Sequence, residues 1–139
     1  MIKCNKHLTI NYQLRINNYE LTLKENIIQQ KSYQFAIRIV QLYKYLTENK
    51  KEYVLSKQIL RSGTAIGANI EEAIGGQSRK DFLSKLSIAY KESRETGYWL
   101  RLLHDTNYLN QKEFESIMSS STELTKIIGK IQTTTRNNS

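Results

Sequence analysis

Leu60-Arg-Ser-Gly-Thr-Ala-Ile-Gly-Ala-Asn-Ile-Glu-Glu-Ala73 reads as a helix with small residues where a helix usually carries bulk. Leu60, Gly63, Gly67, Ile70 and Ile74 fall within about 80° of a helical wheel at about 100° per residue. An interior glycine costs a helix roughly 0.5–1 kcal/mol relative to alanine. Two of them on one stripe, Gly63 and Gly67, predict a close-packing seam where another backbone approaches. The principal inward face of this helix, expected over about 52–74, is Leu55, Ile59, Ser62, Ile66, Ile70 and Ala73. Gly75-Gly76 is expected to supply a left-handed C-terminal cap. Asn69, at the edge of the inward face, is a candidate for a buried hydrogen bond that fixes register.

Three further segments share the helical period. Upstream, over about 24–48, Ile28, Phe35 or Ala36, Ile39, Tyr43 and Leu46 recur at helical spacing. Downstream, Ser78-Arg-Lys-Asp81 resembles a capping box with Asp in place of Glu. Phe82, Leu86, Ala89, Ser93, Thr96, Leu100 and Leu103 follow in steps of 4-3-4-3-4-3, a heptad seam. Asn110-Gln-Lys-Glu113 opens a fourth helix, continued by Phe114, Ile117, Ser121, Leu124, Ile128 and Ile131. The chain has no proline, which favours uninterrupted helices. Four helices with short polar connections predict an all-α domain over 24–132, an antiparallel up-down-up-down four-helix bundle. Residues 1–23 lack a sustained period and are expected to be a weakly ordered leader, and 133–139 a polar, frayed tail.

At 139 residues the chain suits one domain with a single core. No run approaches the roughly 18 apolar residues of a membrane span, and the N-terminus is too polar for a signal peptide. No membrane association is expected, and the expected location is cytoplasmic. Cys4 is the only cysteine, so no intrachain disulfide or multi-cysteine metal site can form. His7 and His104 sit in no metal motif, and no P-loop, Rossmann or G-x-S-x-G pattern occurs. Glu71-Glu72 lacks the inward Glu-x-x-His partners of a di-iron bundle. No enzyme, cofactor or metal is expected.

The net charge is +8. That imbalance attracts polyanions, RNA or DNA first and an acidic protein second; it is also one way to keep a protein soluble. On the third helix Lys80, Ser87, Lys91, Arg94, Tyr98 and Arg101 fall within about 80°, roughly opposite the heptad seam. Four cations with an interleaved tyrosine suit phosphate contact and base stacking. An ordinary solvated face, with these cations paired to Glu92, Glu95 or Asp105, is the alternative. Ile88, Trp99 and Leu102 form a second outer group on this helix, with Leu83 and Tyr90 on the other flank. They point either to a subunit interface anchored on Trp99 or to a widened core.

Ser32-Tyr-Gln-Phe-Ala-Ile-Arg-Ile-Val-Gln-Leu-Tyr-Lys-Tyr-Leu46, the Leu60–Ala73 stretch and Lys91-Glu-Ser-Arg-Glu-Thr-Gly-Tyr-Trp-Leu100, in this order, resemble the bacterial four-helix bundle family of 23S rRNA intervening-sequence proteins. The resemblance spans about 24–131 and extends to the accessory proteins of diversity-generating retroelements. It implies an up-down bundle, assembly with itself as a homopentamer, nucleic-acid binding, and partnership with a reverse transcriptase. Arg38, Arg61 and Arg94 are the basic residues that match the family's motifs. Together these readings predict a non-enzymatic, basic homo-oligomer that binds RNA or other nucleic acid, with a protein-interaction scaffold or accessory subunit as the alternative.

Overall fold

The computed structural model describes residues 3–138. It contains four helices: α1 Lys3–Glu48, α2 Leu55–Ile74, α3 Arg79–Asp105 and α4 Gln111–Asn137. Each helix packs on its two neighbours around a square, α1 on α2, α2 on α3, α3 on α4 and α4 on α1. The register of side-chain contacts makes every neighbouring pair antiparallel. Gln29 meets Glu71 while Ile39 faces Gly63; Glu72 meets Lys85 while Ser62 meets Thr96; Ser87 meets Gln132 while Gly97 faces Met118; Lys31 meets Glu123 while Arg38 meets Ser116. The result is the up-down-up-down bundle that the four periodic segments imply.

The inward stripes supply the core: Ile28, Phe35, Ile39 and Leu46 from α1, Ile59, Ile66 and Ile70 from α2, Leu86, Leu100 and Leu103 from α3, and Ile117, Leu124, Ile128 and Ile131 from α4. Buried hydroxyls interrupt this apolar packing, and two pairs of them bond across helices. Thr96 Oγ1 donates to Ser62 Oγ at 3.0 Å, and Thr125 Oγ1 donates to Ser93 Oγ at 2.9 Å. Paired in this way, polar groups in a core cost little, whereas an unpaired one costs about 1–3 kcal/mol. Asn69 donates to the Ala65 carbonyl one turn back on its own helix, so it does not link helices.

The helix ends follow local rules with two departures. Ser78 Oγ accepts from Asp81 N, and Asn110 and Glu113 form the full reciprocal capping box. The expected left-handed cap at Gly75-Gly76 is not formed: Gly75 has φ −80°, and among the described residues no glycine has a positive φ. The turn closes instead through Gly76 N to the Ala73 carbonyl, and a Cβ at Gly76 would lie 3.0 Å from that oxygen. The left-handed residues are Lys51, φ 54°, after α1, and Asn107, φ 70°, which ends α3 with Asn107 N on the His104 carbonyl and Tyr108 N on the Leu103 carbonyl. That is the Schellman pattern, with Asn in glycine's place.

The second departure is at the start of α2, where Glu52 lies outside the helix and caps it. Its Oε1 accepts from Val54 N and Leu55 N at 2.9 and 2.8 Å, and its Oε2 accepts from Ser56 N at 2.6 Å. Burial alone raises the Glu52 carboxyl, but these backbone donors outweigh it and hold the group below the ordinary carboxylate range. The unfolded chain therefore takes up this proton more readily than the folded one. The cap's stabilisation is complete above the unfolded carboxylate pKa, near 4.3, and is lost as pH falls through the lower folded value. Glu52→Gln is expected to cost about 1 kcal/mol at pH 7 and to flatten the loss of stability between neutral pH and the acid limb. Urea unfolding at neutral and acidic pH checks this; parallel losses in both proteins would remove the cap from the acid response.

Both chain ends differ from expectation. Residues 3–23, expected as a weakly ordered leader, are helical and continuous with the rest of α1. No glycine or proline occurs before residue 49 to stop the helix. The alternation around Leu8–Ile16 places apolar residues on two opposite helix faces, and Leu8 through Arg15 are exposed beyond the cover of α2 and α4. The side chains of Cys4 and His7 lie outside the described residues. The tail expected to fray continues α4 to Asn137, because Gln132 and Thr135 are buried and Arg79 donates to the Thr135 carbonyl.

Candidate nucleic-acid interface

The outer face of α3 carries four exposed cations. Lys80, Lys91, Arg94, Tyr98 and Arg101 are all exposed on it. Among the described residues, Lys80, Lys91, Arg94 and Arg101 make no ion pair, and the acids expected to neutralise them are engaged elsewhere. Glu92 and Glu95 both bind Arg61 of α2, with Arg61 Nη1 3.2 Å from each carboxylate oxygen of Glu92. Asp105 meets His104 Nδ1 at 3.2 Å. Burial alone would lower the Arg61 guanidinium, but its two carboxylates outweigh that and raise it. The pairing across α2 and α3 therefore leaves the α3 stripe positive.

The stripe borders a groove between α3 and α4 of about 450 Å³. Arg94 and Arg101 stand on its α3 side and Lys126 on its α4 side, over walls that include Ser93, Ser121, Thr122 and Thr125. Lys126 does not stand out in the sequence, because the cations of α4 form no stripe like that of α3. Only the 25-residue separation from Arg101, closed by antiparallel packing, brings it to this site.

The remaining candidates occupy other places. Arg38 lies between α1 and α4, donating to Ser120 Oγ and Ser116 Oγ at 2.8 Å each and to the Ser116 carbonyl at 3.4 Å. Arg61 is the α2–α3 ion-pair centre just described. Gly63 and Gly67 face α1 of the same chain: a Cβ at Gly63 would meet Ile39 Cγ1 at 2.7 Å, and one at Gly67 the Ser32 carbonyl oxygen at 3.3 Å. Among the expected interface residues, Leu83, Tyr90, Trp99 and Leu102 are half-buried within the protomer, and Ile88 is exposed. Trp99 packs edge-on against Tyr98, ring centroids 5.0 Å apart, and its buried indole N–H has no acceptor among the described residues. The larger unpartnered apolar surface is on α1, where Tyr33, Ile37 and Val40 follow one another along the outer face at 67%, 43% and 37% exposure. Their 4-3 spacing is the same helical signal as the core stripe, on the opposite side.

No helix among the described residues is long and apolar enough to cross a membrane, and no cluster of three or more His, Cys, Asp or Glu side chains is arranged to hold a metal. The family model described as 23S rRNA-intervening sequence protein matches residues 24–130. A crystal structure from Bacteroides thetaiotaomicron, a protein of unknown function from the S23 ribosomal protein family, is 55% identical. It superposes with a TM-score of 0.78 over 79% of this chain and 98% of its own. No curated protein matches the chain.

Proposed function

Because the chain belongs to the 23S rRNA-intervening sequence protein family, we propose that it is a non-enzymatic, homo-oligomeric bundle that binds RNA or other nucleic acid. The α3 face with Lys80, Lys91, Arg94 and Arg101 is its contact surface. The observation that carries this reading is that those four exposed cations have no acid partner among the described residues, in a bundle where Arg61 takes up the neighbouring Glu92 and Glu95. Each unpaired cation that meets a phosphate releases condensed counterions. Four such contacts give a slope of about −3 in log affinity against log salt, between the single-strand and duplex limits. Fluorescence anisotropy of labelled RNA and DNA from 50 to 300 mM salt measures it. No affinity at low salt, or a slope near zero, would remove the proposal.

Self-assembly in the cytoplasm is the second part of the reading. Its support is the outer face of α1, where Tyr33, Ile37 and Val40 form a contiguous apolar stripe of the kind interfaces cover. The family resemblance makes five copies the expected number. A monomer by light scattering coupled to size exclusion would overturn assembly. The same stripe also favours a second reading, an accessory subunit docked on a nucleic-acid enzyme such as a reverse transcriptase. A partner that survives nuclease treatment in a pull-down identifies that case.

A further inference from the structure

Resting on the nucleic-acid reading and narrowing it, we propose that the ligand is single-stranded, with its backbone along the α3–α4 groove and one base on Tyr98. Arg94, Tyr98 and Arg101 succeed one another along α3 at steps of four and three residues, so the ring stands between two guanidinium groups spaced over about 10 Å of helix. Tyr98 is 50% exposed, and its side chain is held by the edge-on contact with Trp99. A base can stack on such a ring only if it is unpaired; in a duplex the bases stack on one another, leaving edges and phosphates to the protein.

The groove points the same way. Its floor is low because Gly97 has no side chain, and a Cβ there would already lie 3.4 Å from Met118 Cε. Lys126 lines the far side on α4, near the level of Arg94, since its neighbour Thr125 bonds Ser93. At about 450 Å³ the groove has room for only a few backbone units of one strand. One sugar-phosphate strand fits between the cations on the two walls, whereas a duplex rests on the rims alone. Glu123, the acid next along α4, is bound to Lys31 of α1 at 2.6 Å, so it does not neutralise Lys126.

The test is anisotropy of the full chain at fixed salt with single-stranded RNA and DNA of about 20 nucleotides and with duplexes of the same sequences. Single strands are expected to bind at least about 10-fold more tightly than duplexes. Tyr98→Ala is expected to weaken single-strand binding about 10-fold and leave duplex binding unchanged, while Tyr98→Phe stays within about 3-fold of the parent. Equal or tighter duplex binding overturns the single-strand inference and leaves the nucleic-acid reading standing, as does an unchanged single-strand affinity for Tyr98→Ala. Binding to none of the four probes overturns both.

Discussion

Replacing Lys91, Arg94 and Arg101 together by glutamate lowers nucleic-acid affinity by at least about 100-fold at 50 mM salt and leaves the fold intact. For a single strand each phosphate contact contributes about 0.7 to the salt exponent. Removing three contacts alone therefore costs between two and three decades at that salt, and three new negative charges add repulsion. The fold is spared because all three side chains are exposed and none is in an ion pair among the described residues. Surface changes of this kind stay within about 0.5 kcal/mol. Arg61→Ala supplies the contrast. Its guanidinium holds Glu92 and Glu95, so its loss frees two carboxylates beside the stripe and lowers affinity by about 10-fold at most, while an exposed ion-pair centre is worth at most about 1 kcal/mol of stability. Binding measured by anisotropy and folding by thermal melt separate the two effects. An unchanged affinity in the triple variant would mean that the α3 face is not the contact surface.

Gly63→Val is expected to be the most damaging single substitution at the α1–α2 seam, about 3 kcal/mol and a fall of roughly 10 °C in melting temperature. An added Cβ would sit 2.7 and 2.8 Å from the two γ-carbons of Ile39. Ile39 is fully buried, and as a β-branched residue it has one strongly preferred χ1 rotamer in a helix. It cannot swing aside, so α1 and α2 must separate. Helix propensity works in the opposite direction, since valine is favoured over glycine by roughly half a kcal/mol, and the steric term outweighs it. Gly129 is the control. A Cβ there meets only Tyr90 Cε2 at 3.5 Å, an ordinary contact, so Gly129→Ala is expected to gain about 0.5–1 kcal/mol. A Gly63→Val protein that melts within about 2 °C of the parent would show that Ile39 repacks and that the seam tolerates bulk.

The features legible in the sequence are those set by neighbours within one or two turns. The 4-3 recurrence from Phe82 to Leu103 specifies a buried helical stripe because side chains three and four apart share a face. Asn110 and Glu113 specify a helix start because their hydrogen bonds close within three residues. The basic stripe on α3 was visible for the same reason. Glu52 as the cap of α2 was not, because its carboxylate replaces the usual short N-cap side chain from two residues further out. The left-handed conformation expected at Gly75-Gly76 after α2 occurs instead at Lys51 after α1 and Asn107 after α3, and the glycine turn closes without it. The helix over residues 3–23 is not legible because its apolar residues alternate, and Leu8 through Arg15 extend beyond the bundle, which the segment joins only near Leu21.

The sequence by itself determined four amphipathic helices, their order, and the excess of positive charge on the outer face of the third. The tertiary structure alone decided which helix each surface meets. The glycines of α2 admit Ile39 and the Ser32 backbone of α1, Arg61 takes the acids that would have neutralised the α3 stripe, and Lys126 joins Arg94 and Arg101 across a groove. The physical reason is range. Periodicity and capping are written in contacts a few residues apart, whereas helix seams, ion-pair choice and groove composition depend on residues 24–35 positions apart in the chain that meet only when antiparallel helices pack in one register.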